Sequence, residues 1–176
     1  MILEDEIIQL RALEPKDIEK LFIWENNTEN WKITNTLKPF SKYILKKYIE
    51  NSHLDIYTTK QLRLIIKLKE KNKSIGTIDL FDFDFFHQRA GVGILIAEKT
   101  ERGKNYSYLA LEILKNYCFN FLKIHQLYCN ISESNKISLN LFKKSNFKIT
   151  GRKKDWIKSS DNSWEDEFIL QIIYDK

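Results

Sequence analysis

Residues 91–114 read GVGILIAEKTERGKNYSYLALEIL, and the pattern changes twice along them. GVGILIA is apolar or small throughout, as a strand covered on both faces is. EKTERGKN is a polar turn rich in cations. From Tyr106 the apolar residues Leu109, Ile113, Leu114, Tyr117 and Phe121 recur at helical spacing. A strand that enters a helix through such a turn leaves the first N–H groups of the helix without intrahelical acceptors, free to hold an anion. Arg102, Lys104 and the main-chain amides of Gly103, Lys104, Asn105, Tyr106 and Ser107 are therefore candidate ligands of a pyrophosphate. On these residues alone, a phosphate cradle and a solvated loop both remain open.

Outward from this unit the chain divides into short elements. EIIQLRAL at 6–13 reads as a first strand, and Glu14-Pro15 opens a helix running to Trp24. Ser41 caps a second helix, KYILKKYIEN. Residues 61–70 and 74–81 are two strands about the Lys-Asn-Lys turn at 71–73, a hairpin, and RAGVGILIA at 89–97 is the third of an antiparallel set. After the long helix come a strand at 126–131, a helix from Asn135 to Ser145, and strands FKITGR and FILQIIY. The expected order is β-α-α-β-β-β-α-β-α-β-β. The fold class is α/β (α+β), a mixed, mostly antiparallel sheet of about seven strands with about four helices.

Composition narrows the functional classes. The chain has 176 residues, 43% hydrophobic and 30% charged, with 5 Gly and 2 Pro, which excludes a disordered or collagen-like protein. No Pro/Gly/Ser-rich linker or repeat interrupts it, so residues 1–176 are read as one domain. A net charge of +5 favours anionic partners. Acidic residues crowd positions 1–29, whereas Lys143, Lys144, Lys148, Arg152, Lys153, Lys154 and Lys158 face only Asp155 in their segment. This basic run lacks helix-turn-helix, zinc or ribonucleoprotein signatures, and no nucleic-acid partner is expected. Cys118 and Cys129 lie in apolar runs and fit no metal spacing, so no metal is expected and the compartment is read as reducing and cytoplasmic. No apolar stretch reaches the roughly 18 residues a membrane span needs, and MILEDEIIQL is acidic where an export signal is basic.

Two motifs in order carry a family resemblance. The turn beginning at Arg102 resembles the Q/R-x-x-G-x-G/A acetyl-CoA loop of the Gcn5-related N-acetyltransferase (GNAT) superfamily. Farther on, NKISLNLFKKSNF resembles that family's N-x-x-S/A-x-x-L-Y-x-x-x-G-F helix at Asn135, Ser138, Leu141 and Phe147. The stretches LRALEPKDIEKLFIWEN and IDLFDFDFFHQRAGVGILIA are similar to the bacterial subgroup of spermidine and ribosomal-protein N-terminal acetyltransferases. The resemblance covers essentially the whole chain. It implies direct acetyl transfer from acetyl-CoA, as co-substrate, to a primary amine, a small polyamine such as spermidine or, alternatively, a protein N-terminus; a catalytically weak acetyl-CoA-binding protein is the third reading. It also implies a cleft between splayed strands GILIA and QLYCNI, and main-chain N–H groups near Leu95 and Ile96 on the thioester oxygen. Asn135 and Ser138 would reach the pantetheine or thiol end, unless Asn135 only caps its helix.

Departures from the family pattern bear on the cofactor loop and on catalysis. Asn105 and Ser107 stand where glycine and a small residue are usual; Asn tolerates a positive φ and Ser is small, so the loop should still form. Phe142 stands where the family's usual Tyr protonates the departing thiolate. That role cannot be transferred, and Ser138 and Tyr128 are the substitute candidates. For the acceptor, relatives that acetylate spermidine carry acidic residues at the positions of Asp79 and Asp82. With Glu25 and Glu29 these would form an anionic groove for a small polyamine, and Asp79 or Asp82 is the candidate general base. Trp24, Trp31, Phe40 and Tyr43 flank the region as pocket or core. The family's enzymes are often dimers or larger homo-oligomers.

Overall fold

The computed structural model describes residues 3–34, 36–159 and 162–174. Seven strands, β1 (Ile8–Arg11), β2 (Leu62–Leu68), β3 (Lys73–Asp84), β4 (Arg89–Ile96), β5 (Gln126–Ser132), β6 (Lys148–Lys158) and β7 (Trp164–Ile173), form one sheet in the order β1-β2-β3-β4-β5-β7-β6. The helices among the described residues are α1 (Ile18–Glu25), α2 (Thr28–Thr34), α3 (Lys42–Glu50), α4 (Ile56–Thr59), α5 (Tyr106–Asn116) and α6 (Lys136–Lys144). The expected class and strand order hold. The expectation of about four helices is low by two, α2 and α4. Both are too short to show a helical period, and α4 is a single turn capped by the Asp55 side chain, which accepts from Thr58 N.

Alternation along the strands assigns the two faces. Leu64, Ile66, Ile78, Leu80 and Val92 join Ala110, Leu111 and Leu114 of α5 and Leu139 and Phe142 of α6 in the larger core. Ile65, between Leu64 and Ile66, points the other way, into a smaller core with Leu21 and Trp24 of α1 and Leu45 and Ile49 of α3. Each such aliphatic side chain contributes about 1.5–3 kcal/mol when fully buried. Helices α1 and α3 thus cover one face of β2–β4, and α5 covers the other.

Strands β6 and β7 run longer than FKITGR and FILQIIY suggest. Their extra residues, KKDWIK and WEDE, are mostly charged, and the two strands are cross-linked there by Arg152–Asp166 and Lys153–Glu167 ion pairs. A ribbon held by paired charges carries no apolar alternation to read. Pairing is antiparallel throughout except between β4 and β5, which run parallel and pair only at Arg89↔Gln126, Ala90↔Leu127 and Gly91↔Tyr128. Beyond Gly91 the two strands part.

Candidate active site at the parting of two strands

Where β4 leaves β5, a gap passes through the sheet and opens into a cavity on each side. One, of about 600 Å³, lies under α1–α3 and is lined by Trp24, Glu25, Phe40, Tyr48, Arg63 and Asp79. The other, of about 310 Å³, is lined by Cys129, Ile131, Asn135, Ser138 and Phe142 beside α6. Val92, Gly93, Ile94, Asn130, Ile33 and Glu167 line both. Two reactants approaching from opposite faces would therefore meet at these residues.

The loop after β4 has the conformation the sequence requires. Gly103 and Asn105 take φ of 77° and 66°, and Asn105 stands at the N-cap of α5. A Cβ at Gly103 would meet nothing within 4 Å, so this glycine is needed for its conformation and not for space. Asn105 is steadied by Lys144 from α6, whose Nζ donates to its Oδ1 at 3.0 Å and lies 4.3 Å from the Tyr108 ring centre. The first-turn amides, which include those of Tyr106 and Ser107, remain available to an anion. These features fit a pyrophosphate.

The loop's two predicted cations are placed differently from expectation. Arg102 Nε donates to the Ile96 carbonyl at 2.8 Å and Nη2 to Asn30 Oδ1 at 3.2 Å, so its donors tie the loop to β4 and α2. Lys104 pairs with the buried Glu101 at 2.9 Å, and Lys73 reaches the same carboxylate at 3.1 Å. These hydrogen bonds, Lys104's first, hold Glu101 down to about 2.

Main-chain direction in β4 refines the expectation for Leu95 and Ile96. Ala97 N donates to Ile75 O of β3 at 2.9 Å. In an antiparallel ladder such pairs alternate, so Leu95 and Gly93 address β3 while Ile96 and Ile94 address the gap. Ile94 and Ile96 can therefore offer N–H groups there, and Leu95 cannot.

In the cavity under α1–α3 the charges are organised by Arg63. Its Nε and Nη2 donate to the two oxygens of Asp79 at 2.8 Å each, and its Nη1 to Glu25 Oε1 at 2.6 Å. Burial would lower the Arg63 pKa, but Asp79 and Glu25 outweigh it and raise it above its ordinary value. The three groups sum to one negative charge under the Tyr48 ring, whose centre is 5.6 Å from the guanidinium carbon.

Several expected associations are not formed. Asp82, at a bulge of β3 with φ of 48°, lies in a separate cavity with Asp84, Lys60, Arg89 and Tyr128. The Tyr128 hydroxyl donates to Asp82 at 3.3 Å; burial, then the Asp82 charge, push its phenol above the ordinary value. Tyr128 is thus a protonated donor facing Asp82 and is not brought to Ser138. Glu29 pairs with Lys99 at 2.6 Å on the surface. The expected four-carboxylate groove is therefore not assembled: only Glu25 and Asp79 share a cavity, and one guanidinium bridges them. Ser138 and Asn135 do line the cavity beside α6, and Ser138 N donates to the Asn135 side-chain Oδ1 at 3.1 Å, capping the helix. Phe142 is buried there, edge-on to Phe147. Trp24 and Phe40 line the cavity under α1–α3, whereas Trp31 and Tyr43 do not.

Arg63 and Glu167 were missed from sequence. The β2–β3 hairpin sets Arg63 opposite Asp79, with a register shift between Ile66 and Lys67; counting outward from a turn at 71–73 pairs Arg63 with Phe81 instead, so the sequence carried only an approximate signal for the first. Glu167 had none, because its place depends on β7 inserting between β5 and β6.

The family model described as Acetyltransferase (GNAT) domain matches residues 8–148. No curated protein matches the sequence. Among solved structures, a spermidine N-acetyltransferase from Vibrio cholerae, in complex with CoA and spermine, superposes with a TM-score of 0.85 at 19% identity, covering 96% of this chain and 96% of that one. A dodecameric structure of spermidine N-acetyltransferase from Vibrio cholerae gives 0.78 at 21%, covering 96% and 95%. A probable acetyltransferase gives 0.82 at 22%, covering 96% and 94%. At these identities the likeness is one of fold.

Proposed function

This chain belongs to the acetyltransferase (GNAT) family, and from that premise we propose that it moves the acetyl group of acetyl-CoA to a small primary amine of the polyamine class, spermidine being the model acceptor. Acetyl-CoA is the co-substrate of this family, and when bound it supplies an activated thioester carbonyl. The observation that carries the acceptor class is the Glu25–Arg63–Asp79 group, which leaves one net negative charge and the Tyr48 and Phe40 rings in the cavity facing the gap. An ammonium is drawn to such a site by charge and by aromatic faces. The spermine complex of a structural neighbour supports the same class.

The residues divide the work by side of the sheet. The amides of Gly103 to Ser107 hold the pyrophosphate, and Asn135 and Ser138 face the thiol end. The N–H groups of Ile94 and Ile96 polarise the carbonyl in the gap. Glu25, Arg63 and Asp79 position the amine. On this reading residues 1–176 form one catalytic domain of a cytoplasmic enzyme, and it assembles as a homo-oligomer, as a neighbour does. Among the described residues no helix is long and apolar enough to cross a membrane.

Two measurements test this. Acetyl-CoA at 100 times its dissociation constant should stabilise the fold by about 2.7 kcal/mol, raising Tm by about 5–10 °C for a chain of this size. Thiol release with an acceptor panel should then show spermidine and spermine acetylated, with Glu25→Gln raising KM for the polyamine and leaving that for acetyl-CoA unchanged. No thermal shift at millimolar acetyl-CoA would reject the cofactor. Acetylation of a peptide N-terminus and of no polyamine would replace the acceptor by a protein terminus.

A further inference from the structure

Glu167 of β7 lies where the two cavities meet. Its side chain is only 8% exposed, yet it lines both the acceptor side and the cofactor side of the gap, and it is the one ionisable residue among those the two cavities share. Lys153 Nζ donates to Oε1 at 2.8 Å and is itself seated over the Trp156 ring, 4.8 Å from its centre. Among the described residues Oε2 has no donor. The other carboxylates are placed differently: Asp79 gives both oxygens to Arg63, Glu25 gives Oε1 to Arg63 and lines only the cavity under α1–α3, and Asp82 is in a separate cavity.

A primary alkylamine has a pKa near 10, as the lysine side chain does, so at pH 7 it arrives protonated and cannot attack a carbonyl. We propose that Glu167 is the general base of the transfer, Oε2 taking a proton from the ammonium in the gap, and that Lys153 is the positioning residue that fixes its orientation. The inference rests on the amine-acetyltransferase reading above. Proton transfer gives a neutral amine and a carboxylic acid at Glu167. The nitrogen lone pair forms the C–N bond to the thioester carbon, and the C–S bond breaks with its electrons on sulfur. The nitrogen's second excess proton neutralises the thiolate, and Glu167 returns its own to water. Ammonium and thioester thus become amide, thiol and one released proton.

The charged groups around Glu167 are Lys153 from β6 and Glu165, two residues away on β7. Strand β5 presents Asn130 and Ser132, β4 presents Val92, Gly93 and Ile94, and α2 presents Ile33; the Glu25–Arg63–Asp79 group stands across the acceptor cavity. A general base typically contributes 10²–10⁴-fold.

The test compares wild type, Glu167→Gln and Lys153→Met by thiol release. One acceptor is the best alkylamine; the other is methoxyamine, a primary amine already neutral at pH 7. Acetyl-CoA thermal shifts are measured on the same samples. Glu167→Gln is expected to keep the thermal shift and to lose about 100-fold or more in kcat/KM at pH 7 with the alkylamine. It should regain rate as pH rises toward 10 and lose less than tenfold with methoxyamine. Lys153→Met is expected to lose about tenfold in kcat with KM for acetyl-CoA unchanged. Glu167→Gln within threefold of wild type, or equally impaired with both acceptors, overturns the proposal. If Glu167→Gln fails to fold, a wild-type kcat and pH profile in Lys153→Met overturns it instead. A wild type that acetylates no amine rejects the function itself and this inference with it, whereas an active wild type matched by Glu167→Gln rejects only Glu167.

Discussion

Arg63 is the residue on which the acceptor cavity's charge balance turns. It neutralises one of two carboxylates that would otherwise face each other in a half-buried site, where both partners are less than a fifth exposed. Removing one member of a buried ion-pair group typically costs 3–5 kcal/mol, because the remaining charge is left without a partner. Arg63→Met should therefore lower Tm by about 6–20 °C, read by thermal melts; a loss under 2 °C would show that the carboxylates relax into water. Phe142 poses the opposite question, since its ring lines the cofactor-side cavity without a hydroxyl. A thiol with a pKa near 8.5 leaves as a fairly stable anion, and protonating it at pH 7 is downhill by about 2 kcal/mol. The wild type is thus expected to turn over despite Phe142. Phe142→Tyr should raise kcat by about 2- to 10-fold, well short of the 10²–10⁴ that an indispensable acid contributes. A larger gain in single-turnover rate would mean that the native chain is a disabled transferase.

At the scale of elements, the β4–loop–α5 unit shows how asparagine can stand in for glycine. Asn105 pays the modest strain of a left-handed φ and gains the hydrogen bond from Lys144; Asn146, at the motif's other glycine, likewise takes φ of 68°. Asn105→Gly should change stability by less than about 1 kcal/mol, since relief of strain offsets the lost bond. Asn105→Val should cost about 1–2 kcal/mol and weaken acetyl-CoA binding, both measurable by denaturant unfolding with and without cofactor. This unit was legible because apolar run, cationic turn and helical stripe follow one another without a break. Helix α6 was legible for the same reason, from Asn135 to Phe147. What escaped was relational. TENWKIT and IYTT hold too few residues to display a period, and the outer halves of β6 and β7, KKDWIK and WEDE, are mostly charged and show no apolar alternation. The carboxylates Asp79 and Asp82 look equivalent in sequence, but a bulge between them sends one to Arg63 and the other to Tyr128.

For the whole molecule, acid stability follows from carboxylates tied to cations in separate parts of the fold. Glu101 is held at about 2, chiefly by its Lys104 hydrogen bond. Asp166 is lowered first by the Asp155 N–H and also by Arg152, against burial. Asp17 is lowered although burial, the largest influence, opposes it, because Arg11 and the Glu14 N–H prevail. Each has a folded pKa below its unfolded one, so its contribution is complete above about pH 4.5 and disappears as pH falls toward 2. Tm should be flat from pH 6 to 5 and drop steeply below 4.5, and Glu101→Gln should lessen that drop; an identical acid limb in the variant would exclude Glu101 from it. A different consequence belongs to the opening beyond Gly91. With a cavity on each side of the sheet, the proposed reading gives each substrate its own doorway; neither then needs to vacate before the other enters, and double-reciprocal plots should intersect instead of running parallel. An amine entering by one door would displace bromide from a bromoacetyl thioester of CoA entering by the other, a C–N bond forming as the C–Br bond breaks and bromide and a proton depart. The conjugate, wider than either doorway's traffic and spanning both, would leave far more slowly than the two molecules that made it.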